Sequence, residues 1–452
     1  MADYTDRDRF IPYRKSELID LLCDEGTLAT EHRDQFRAFS RVLESLYHFD
    51  FHSKLEKMKS HYFPFNPDRD TKTKRLFDKA ALDENEEALM AELTEVLNGA
   101  NYERVTEAEL QKALEEESLF RISLVVDFGD FSRIVLFRRG DVVKKAELKR
   151  FFRKNLMLDV PTFERVVLLV RFKDRAHFEA KSKKAQKKWA ELPFEPGSVV
   201  LKLFKDVPKA DLEMLFPNTE TKMRPRDWAL LLTPGLIGGF TVLLKAAVSI
   251  GIAMTLVWSL LKNKLEEGDV PVAHPGLSPE EAAALAGAAM AVIGIGGFMV
   301  KQWLKFKNRK IFFMKTLADN LYFKNLDNNE GVLHHVIDGA EEEECKEALL
   351  AYYFLLKHPE GLTEAQLDDT IEGWLEAKHE VRVDFEVDDG LAKLHKLGLT
   401  VEAGQSPDGT TIWRVSGLDE GCRRLDEIWD NLFSYNNDSQ GSQAAQGAEG
   451  SE

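Results

Sequence analysis

The amino-acid sequence predicts an α+β membrane protein with a helical N-terminal region, a small mixed α+β domain, a two-helix transmembrane hairpin and a C-terminal winged-helix-like domain. Three observations lead to this fold class. Two long apolar stretches lie near the middle of the 452 residues, at about 241–261, where Lys245 is the one charged residue, and at 282–300, which has no charge. Short runs rich in β-branched and aromatic residues precede them. Alternating helical and ribbon patterns follow them.

Composition divides the chain into five segments. The predicted segments are a helical N-terminal region at 1–117, a basic α+β domain at 118–221, a transmembrane hairpin at 222–310, an acidic winged-helix-like domain at 311–435 and a disordered tail at 436–452. The formal net charge of -16 argues against nucleic acid as a partner, because phosphates repel an acidic surface. The three cysteines lie far apart, so no disulfide framework, zinc cluster or other cofactor is predicted.

The N-terminal region has the periodicity of amphipathic helices. Phe36, Phe39 and Leu43 recur at spacings of three and four residues, which places them on one helix face. The stretch 63–68 contains two prolines and predicts a break, because proline cannot continue a helix. Further charged helical patterns cover 82–99 and the residues after 106.

The second segment has the composition of short strands. The predicted strands are Leu119–Asp127, Ser132–Phe137, Phe163–Phe172 and Ser198–Phe204. The first two are expected to form a hairpin through 128–131. Helices are predicted at 142–156 and 176–191, which completes a small mixed α+β domain.

This segment is also strongly basic. Residues 131–210 contain 21 lysines and arginines against 9 acidic residues. Such an excess is either a solvated helix face or a surface that rests on anionic lipid headgroups. The candidate lipid-surface residues are Lys181, Lys183, Lys184, Lys187 and Lys188.

The membrane hairpin is predicted from length and lack of charge. Ala246–Leu261 has sixteen uncharged residues, Thr241–Leu244 extends it, and Ala282–Val300 has nineteen. Helices of this length approach the thickness of a bilayer core. Small residues at four-residue spacing form the candidate packing stripes Ala247, Gly251, Thr255, Ser259, Ala283, Gly287 and Ala291. Whether 228–240 spans, bends or lies at the interface stays open.

The orientation follows from the charges that flank the hairpin. Lysines and arginines precede residue 228 and follow residue 300, whereas the loop at 262–281 is mainly acidic. Positive residues favour the cytoplasmic side, so both termini are predicted to be cytoplasmic.

The C-terminal segment has the element order of a winged-helix domain. The predicted elements are helices at 342–356, 363–378 and 387–397, strands at 399–403 and 410–415, and a closing helix at 418–433. Residues 341–437 contain 23 acidic residues against 9 basic residues. This charge favours a protein partner over DNA.

The sequence offers only weak candidates for metal-binding or catalytic sites. His48 and His52 lie one helical turn apart, a spacing that suits a metal site, although surface or capping histidines are commoner. Asn66 and Asp68 begin like a calcium loop, but the required glycine and glutamate are absent. No catalytic residue is predicted, and the sequence favours a role other than catalysis.

Several long motifs resemble the transmembrane protein 143-like family. They are the segments Leu201–Pro217, Leu321–Gly331 and Lys346–Leu356, together with Tyr62–Thr71. The resemblance implies a two-span membrane protein of unknown function. Because the chain begins without a presequence, it also implies a bacterial inner membrane. The family supplies no catalytic residues.

The leading functional hypothesis is a membrane-anchored scaffold or regulatory protein. Its acidic C-terminal domain would bind a protein partner and its basic domain the lipid bilayer. One alternative is a channel or transport component formed by oligomerised hairpins, for which Lys245 and the small-residue stripes are the support. A membrane-bound enzyme is the second alternative. Assembly of the chain into a homo-oligomer is left open.

Overall fold

The computed structural model describes residues 9–26, 29–74, 76–106, 108–110, 123–148, 156–183, 186, 189, 194–222, 251, 254, 258, 279–407 and 409–433. The chain divides into two units. The first unit comprises Met1–Glu115, Phe128–Leu212 and Lys324–Glu452, and the second comprises Glu116–Asp127 and Glu213–Phe323.

The first unit contains eight of the nine helices given below for the described residues. Numbered along the described residues, the helices whose ends are defined are α1 (Lys15–Asp24), α2 (Thr30–Tyr62), α3 (Lys79–Gly99), α4 (Arg175–Glu179), α5 (Pro279–Lys324), α6 (Glu330–Lys357), α7 (Glu364–His379), α8 (Val387–Lys396) and α9 (Leu418–Asp430). All of α5 except its last residue belongs to the second unit. As predicted from the prolines, α2 ends at Tyr62 and a short 3-10 helix, Phe63–Phe65, follows.

An antiparallel five-stranded sheet lies in the first unit, in the order β1-β3-β4-β5-β7. In the part of the chain that the structure describes, the strands are β1 (Glu103–Arg104), β2 (Ser123–Val125), β3 (Phe131–Leu148), β4 (Leu156–Phe172), β5 (Val199–Pro208), β6 (Glu220–Lys222), β7 (Asn325–Asn328), β8 (Leu362–Thr363), β9 (Thr400–Gln405) and β10 (Thr411–Val415).

The helix predicted at 142–156 is wrong. Strand β3 continues through this region to Leu148, and its last residue pairs with Leu156 of β4. The β-branched residues Val142 and Val143 lie opposite Thr162 and Pro161, so cross-strand pairing outweighs the helical propensity of the lysines and glutamates that follow.

The hairpin predicted between the first two strands is also wrong. In the second unit, β2 pairs with β6, with Ser123 opposite Lys222. A 3-10 helix at Phe128–Asp130 precedes β3 and takes the place of a hairpin turn. The partner strand of β2 lies about a hundred residues further along the chain, a distance that the local turn signal at 128–131 does not indicate.

Two hydrophobic clusters form the core of the first unit, and two long helices contribute to both. The first half of α2 and the second half of α6 supply the first cluster, in which Phe39 stacks on Tyr352 at 4.2 Å between ring centroids. The second half of α2 and the first half of α6 supply the second cluster, which also contains one face of the sheet. Apolar burial on this scale is the main stabilising contribution to the fold.

A buried polar junction around Asn329 joins the sheet to these helices. Asn329 has a positive φ of 51° with ψ -123°, a backbone conformation that residues other than glycine rarely adopt. Its Oδ1 accepts hydrogen bonds from the Leu201 amide and the Tyr62 hydroxyl, both at 3.2 Å, and its Nδ2 donates to Asp68. The residues that look like the start of a calcium loop therefore hold the polypeptide backbone in place.

The C-terminal elements lie close to their predicted positions. Helices α7, α8 and α9 and strands β9 and β10 follow the predicted order, while α6 begins at Glu330, earlier than expected. The short strand β8 pairs with β10, which gives a three-stranded sheet in the order β8-β10-β9. The classification as winged-helix-like stays a prediction.

The predicted transmembrane hairpin is not supported. Across the described residues, no helix combines the length and apolar character that a membrane crossing requires. The second predicted span lies in α5, but it consists largely of alanine and glycine, and the helix continues through Lys301 and Lys305. Of the first span, only residues 251, 254 and 258 are described. This finding overturns the predicted membrane fold class and the inner-membrane localisation.

A pair of glycine substitutions tests the C-terminal packing. Gly361 has φ +87°, and a Cβ there would lie 2.9 Å from the carbonyl oxygen of Trp413. We expect Gly361→Ala to lower the free energy of unfolding by more than about 2 kcal/mol in urea titrations. Gly339 lies inside α6 with open space around it, so Gly339→Ala should raise the same quantity by about 1 kcal/mol. Equal effects of the two substitutions would contradict this packing.

Candidate functional site

Residues 9–15, called the N-terminal strap, lie against the middle of α6. The Ile11 side chain is fully buried, and the Ile11 amide donates a hydrogen bond to Glu343 Oε2 at 3.1 Å. Lys346 Nζ donates to the carbonyl oxygens of Ile11 at 2.6 Å and Tyr13 at 3.1 Å. The strap is thus held through its backbone by two charged side chains of one helix.

Glu343 and Lys346 also form an ion pair with each other, and their side chains are 0% and 1% exposed. The two strap carbonyls and Glu343 give the ammonium of Lys346 three acceptors for its three donors. Burial raises the pKa of Glu343, whereas the charge of Lys346 opposes that shift. A fully satisfied pair of this kind is tolerated in a core, but the loss of either partner would be costly.

The neighbouring acidic residues continue this contact. Glu342 accepts a hydrogen bond from the Lys15 amide, and Glu341 pairs with the Lys15 ammonium at 2.8 Å. The run of four glutamates at 341–344 would be interpreted from sequence as a solvated charged face. Instead Glu341 and Glu343 are buried and hold the strap.

A second buried contact lies one turn further along α6. Glu347 is 2% exposed, pairs with Lys393 of α8 and accepts a hydrogen bond from Asn101 Nδ2 at 3.2 Å. Burial raises the pKa of Glu347 to about 7, against the opposing effects of Lys393 and Asn101. Burial disfavours the charged form of Lys393 and by itself lowers its pKa. The nearby carboxylates of Glu347 and Glu344 outweigh this effect, so the pKa of Lys393 is raised.

An acidic cleft of about 440 Å³ opens beside these contacts, within the first unit. Its volume lies in the range of ligand pockets, roughly 300–1,000 Å³. Five carboxylates and one guanidinium are among its lining groups: Glu95, Glu103, Glu344, Glu386, Asp389 and Arg9.

Arg9 of the strap supplies the cation in this cleft. Its Nη1 lies 2.6 Å from Glu386 Oε1 and its Nε lies 3.5 Å from Asp384 Oδ2. The Arg9 carbonyl accepts a hydrogen bond from Asn101 Nδ2 at 3.1 Å. Arginine–carboxylate contacts are stronger than neutral hydrogen bonds and suit the recognition of a basic side chain.

The candidate metal ligands do not form a metal site. Among the described residues, no group of three or more histidine, cysteine, aspartate or glutamate side chains could hold a metal ion. His48 Nδ1 lies 3.0 Å from Glu341 Oε2, and the rings of His48 and His52 are 6.5 Å apart. His48 therefore contributes to the polar contacts around Glu341.

The candidate lipid-surface lysines are only partly described. Lys181 pairs with Asp130, and three-quarters of its side chain is buried. Lys183 is exposed, and Lys184, Lys187 and Lys188 lie outside the described residues. Binding of a lipid surface by this group stays a prediction.

The small-residue stripes are also partly described. Ala283 and Gly287 lie on an exposed part of α5, and Gly251 is exposed in its helical segment. The backbone of Ala291 is helical, whereas Ala247, Thr255 and Ser259 lie outside the described residues. Their role in packing two helices together stays a prediction.

Replacement of Lys346 tests the buried ion pair. Lys346→Met would leave the Glu343 carboxylate buried without its cation, so the free energy of unfolding should fall by roughly 3–5 kcal/mol. The double variant Glu343→Leu/Lys346→Met should recover part of this loss, because neither charge is then buried. Urea unfolding of both variants measures the difference. A double variant that is no more stable than Lys346→Met would contradict the assignment.

The raised pKa of Glu347 predicts a pH-dependent stability. In the folded state the pKa of Glu347 is about 7, whereas in the unfolded chain the carboxyl group has its ordinary pKa of 4.5. Stability therefore falls as the pH rises between these values, by on the order of 3 kcal/mol in total. Glu347→Gln cannot ionise, so its stability relative to wild type should improve over that window in urea titrations. A relative loss instead would show that Glu347 ionises as the partner of Lys393.

Comparison with known proteins gives one family match. A family model described as "Protein of unknown function (DUF3754)" matches residues 163–331, from β4 to the start of α6. This range is less than half of the chain. The search of solved structures found no match.

These comparisons overturn the resemblance drawn from the sequence motifs, because none of them supports the transmembrane protein 143-like family. The motifs Leu201–Pro217 and Leu321–Gly331 lie inside the range that the family of unknown function matches. The motif Lys346–Leu356 lies outside that range, in the helix that holds the N-terminal strap. The chain is therefore similar, over its middle third, to a family whose function is not known.

Proposed function

We propose that this chain is a scaffold or regulatory protein that binds an extended, basic segment of a protein partner at the acidic cleft. The observation that carries the proposal is the N-terminal strap itself. Its backbone is held by Glu343 and Lys346, its apolar residue Ile11 is buried, and its Arg9 reaches the cleft carboxylates.

This combination is typical of peptide recognition. Backbone hydrogen bonds supply affinity for an extended segment, and pockets for particular side chains supply specificity. The strap meets both conditions within one chain. It is therefore an internal example of the ligand chemistry that the cleft accepts.

The shape and charge of the cleft support a further basic side chain beside Arg9. Glu103 pairs with Arg138 at 3.1 Å and Glu95 with Lys54 at 2.9 Å, and both carboxylates are more than a third exposed. Asp389 is about half exposed and lies 3.6 Å from Lys393. An incoming arginine could share these carboxylates at a modest cost, since exposed ion pairs contribute little to stability.

A short arginine peptide tests this proposal on the full-length protein. The probe is a fluorescein-labelled Gly-Arg-Gly-Arg-Gly peptide, and its control carries citrulline, which has nearly the same shape without the charge. We expect fluorescence anisotropy to detect binding of the arginine peptide only. Arg9→Ala should tighten this binding, because the substitution leaves Glu386 available to the probe.

Two substitutions on α8 locate the binding. Asp389→Asn should lower the affinity for the arginine peptide about tenfold, which is the effect of losing one charge-assisted contact. Asp388→Asn changes an exposed neighbour that does not line the cleft, and it should leave the affinity unchanged. Equal binding of the citrulline peptide, or equal loss in both variants, would contradict the proposal.

A further inference from the structure

Helix α5 presents a long exposed apolar surface in the second unit. The positions, called the heptad stripe, recur at alternating spacings of three and four residues: Ala286, Met290, Ile293, Gly297, Val300, Leu304, Lys307, Ile311, Met314 and Ala318. The six large apolar side chains of the stripe are between 50% and 71% exposed.

The repeat of the stripe indicates what can cover it. A mean spacing of 3.5 residues keeps the stripe on one side of a partner helix over many turns, as in coiled coils. From residue 286 to residue 318 the stripe is about 48 Å long at 1.5 Å per residue. A surface of this extent is comparable to the largest apolar patch of a typical monomeric protein, and such patches are often functional.

We infer that the heptad stripe binds the same stripe of a second copy of this chain, in an antiparallel coiled coil. The sequence of the stripe is complementary to itself when one copy is reversed. A two-fold axis at residue 302 places Met290 opposite Met314, Ile293 opposite Ile311 and Val300 opposite Leu304. Residues of similar size then meet across the interface.

The charges of α5 select the antiparallel orientation. In a parallel pair, Lys307 would face its own copy within the stripe, and like charges in that position repel. In the antiparallel pair, Lys307 faces Gly297. The absence of a Cβ there leaves room for the lysine stem, while its ammonium reaches solvent.

The size of the stripe sets the strength of the association. A contact about 48 Å long and about 10 Å wide covers roughly 500 Å² on each copy. A standard interface covers about 800 Å² per partner. The dimer should therefore be concentration-dependent, with dissociation in the micromolar range. This inference uses the second unit only and does not depend on the proposed function.

Sedimentation of the full-length protein at a series of concentrations tests the association. Wild type should pass from monomer to dimer, and Val300→Glu should raise the dissociation constant at least tenfold. Lys305→Glu makes a larger charge change at an exposed position outside the stripe, and it should leave the dissociation constant within about threefold. A monomer at every concentration, with binding to phosphatidylcholine vesicles, would overturn the inference and assign the stripe to lipid.

Cysteine cross-linking tests the orientation. One chain carries Ile293→Cys, and a second chain with a different tag carries Ile311→Cys. A disulfide between two cysteines forms only when their Cα atoms lie within about 7 Å of each other. The antiparallel pair predicts cross-links between the two chains and none between copies of one chain. Cross-links between two Ile293→Cys copies would indicate a parallel pair and overturn the inference.

Discussion

The structure of the first unit depends on the charged pair Glu343 and Lys346 in the middle of α6. These two side chains have little access to water, so each requires the other and the backbone of the strap to satisfy its hydrogen bonds. The strap in turn covers the first hydrophobic cluster with Ile11. The pair therefore links the position of the N-terminal segment to the packing of the core.

Helix α6 carries this constraint to the rest of the unit. Its first half packs in the second cluster and its second half in the first, with the charged residues 341–347 between them. Helix α2 runs through the same two clusters. Since both helices are shared, neither cluster can lose its structure without exposing part of the other. The acidic cleft lies beside this shared region, and its walls are thereby supported by both clusters.

The sequence predicted the local elements better than their contacts. The prolines after Tyr62 and the periodicity of residues 364–430 located helix ends and strands to within a few residues. The helix at 142–156 failed because strand pairing, a non-local effect, outweighed local propensity. The prediction of the second membrane span failed because lack of charge is not sufficient for a membrane crossing, and its alanines and glycines bury little apolar surface.

The candidate site could not be predicted from the sequence, because its contacts are also non-local. The run 341–344 has the composition of a solvent-exposed face, and its charge counted toward an acidic surface. Its burial follows from Ile11 and Lys15, which are hundreds of residues away in the chain. One signal is present in the sequence, because Lys346 lies between the four glutamates and Glu347, one residue before a long apolar stretch. A lone lysine there indicates an internal partner for a neighbouring carboxylate.

The separation between the strap and its binding residues affects how the protein is made. Ile11 and Glu343 are 332 positions apart. At a synthesis rate of about 5–20 residues per second, roughly twenty seconds to a minute pass between the emergence of the two. During that interval the newborn N-terminus lacks its native partner, and its apolar residues are open to chaperones. Translation speed between these two points therefore bears directly on how much of the nascent chain reaches the folded state.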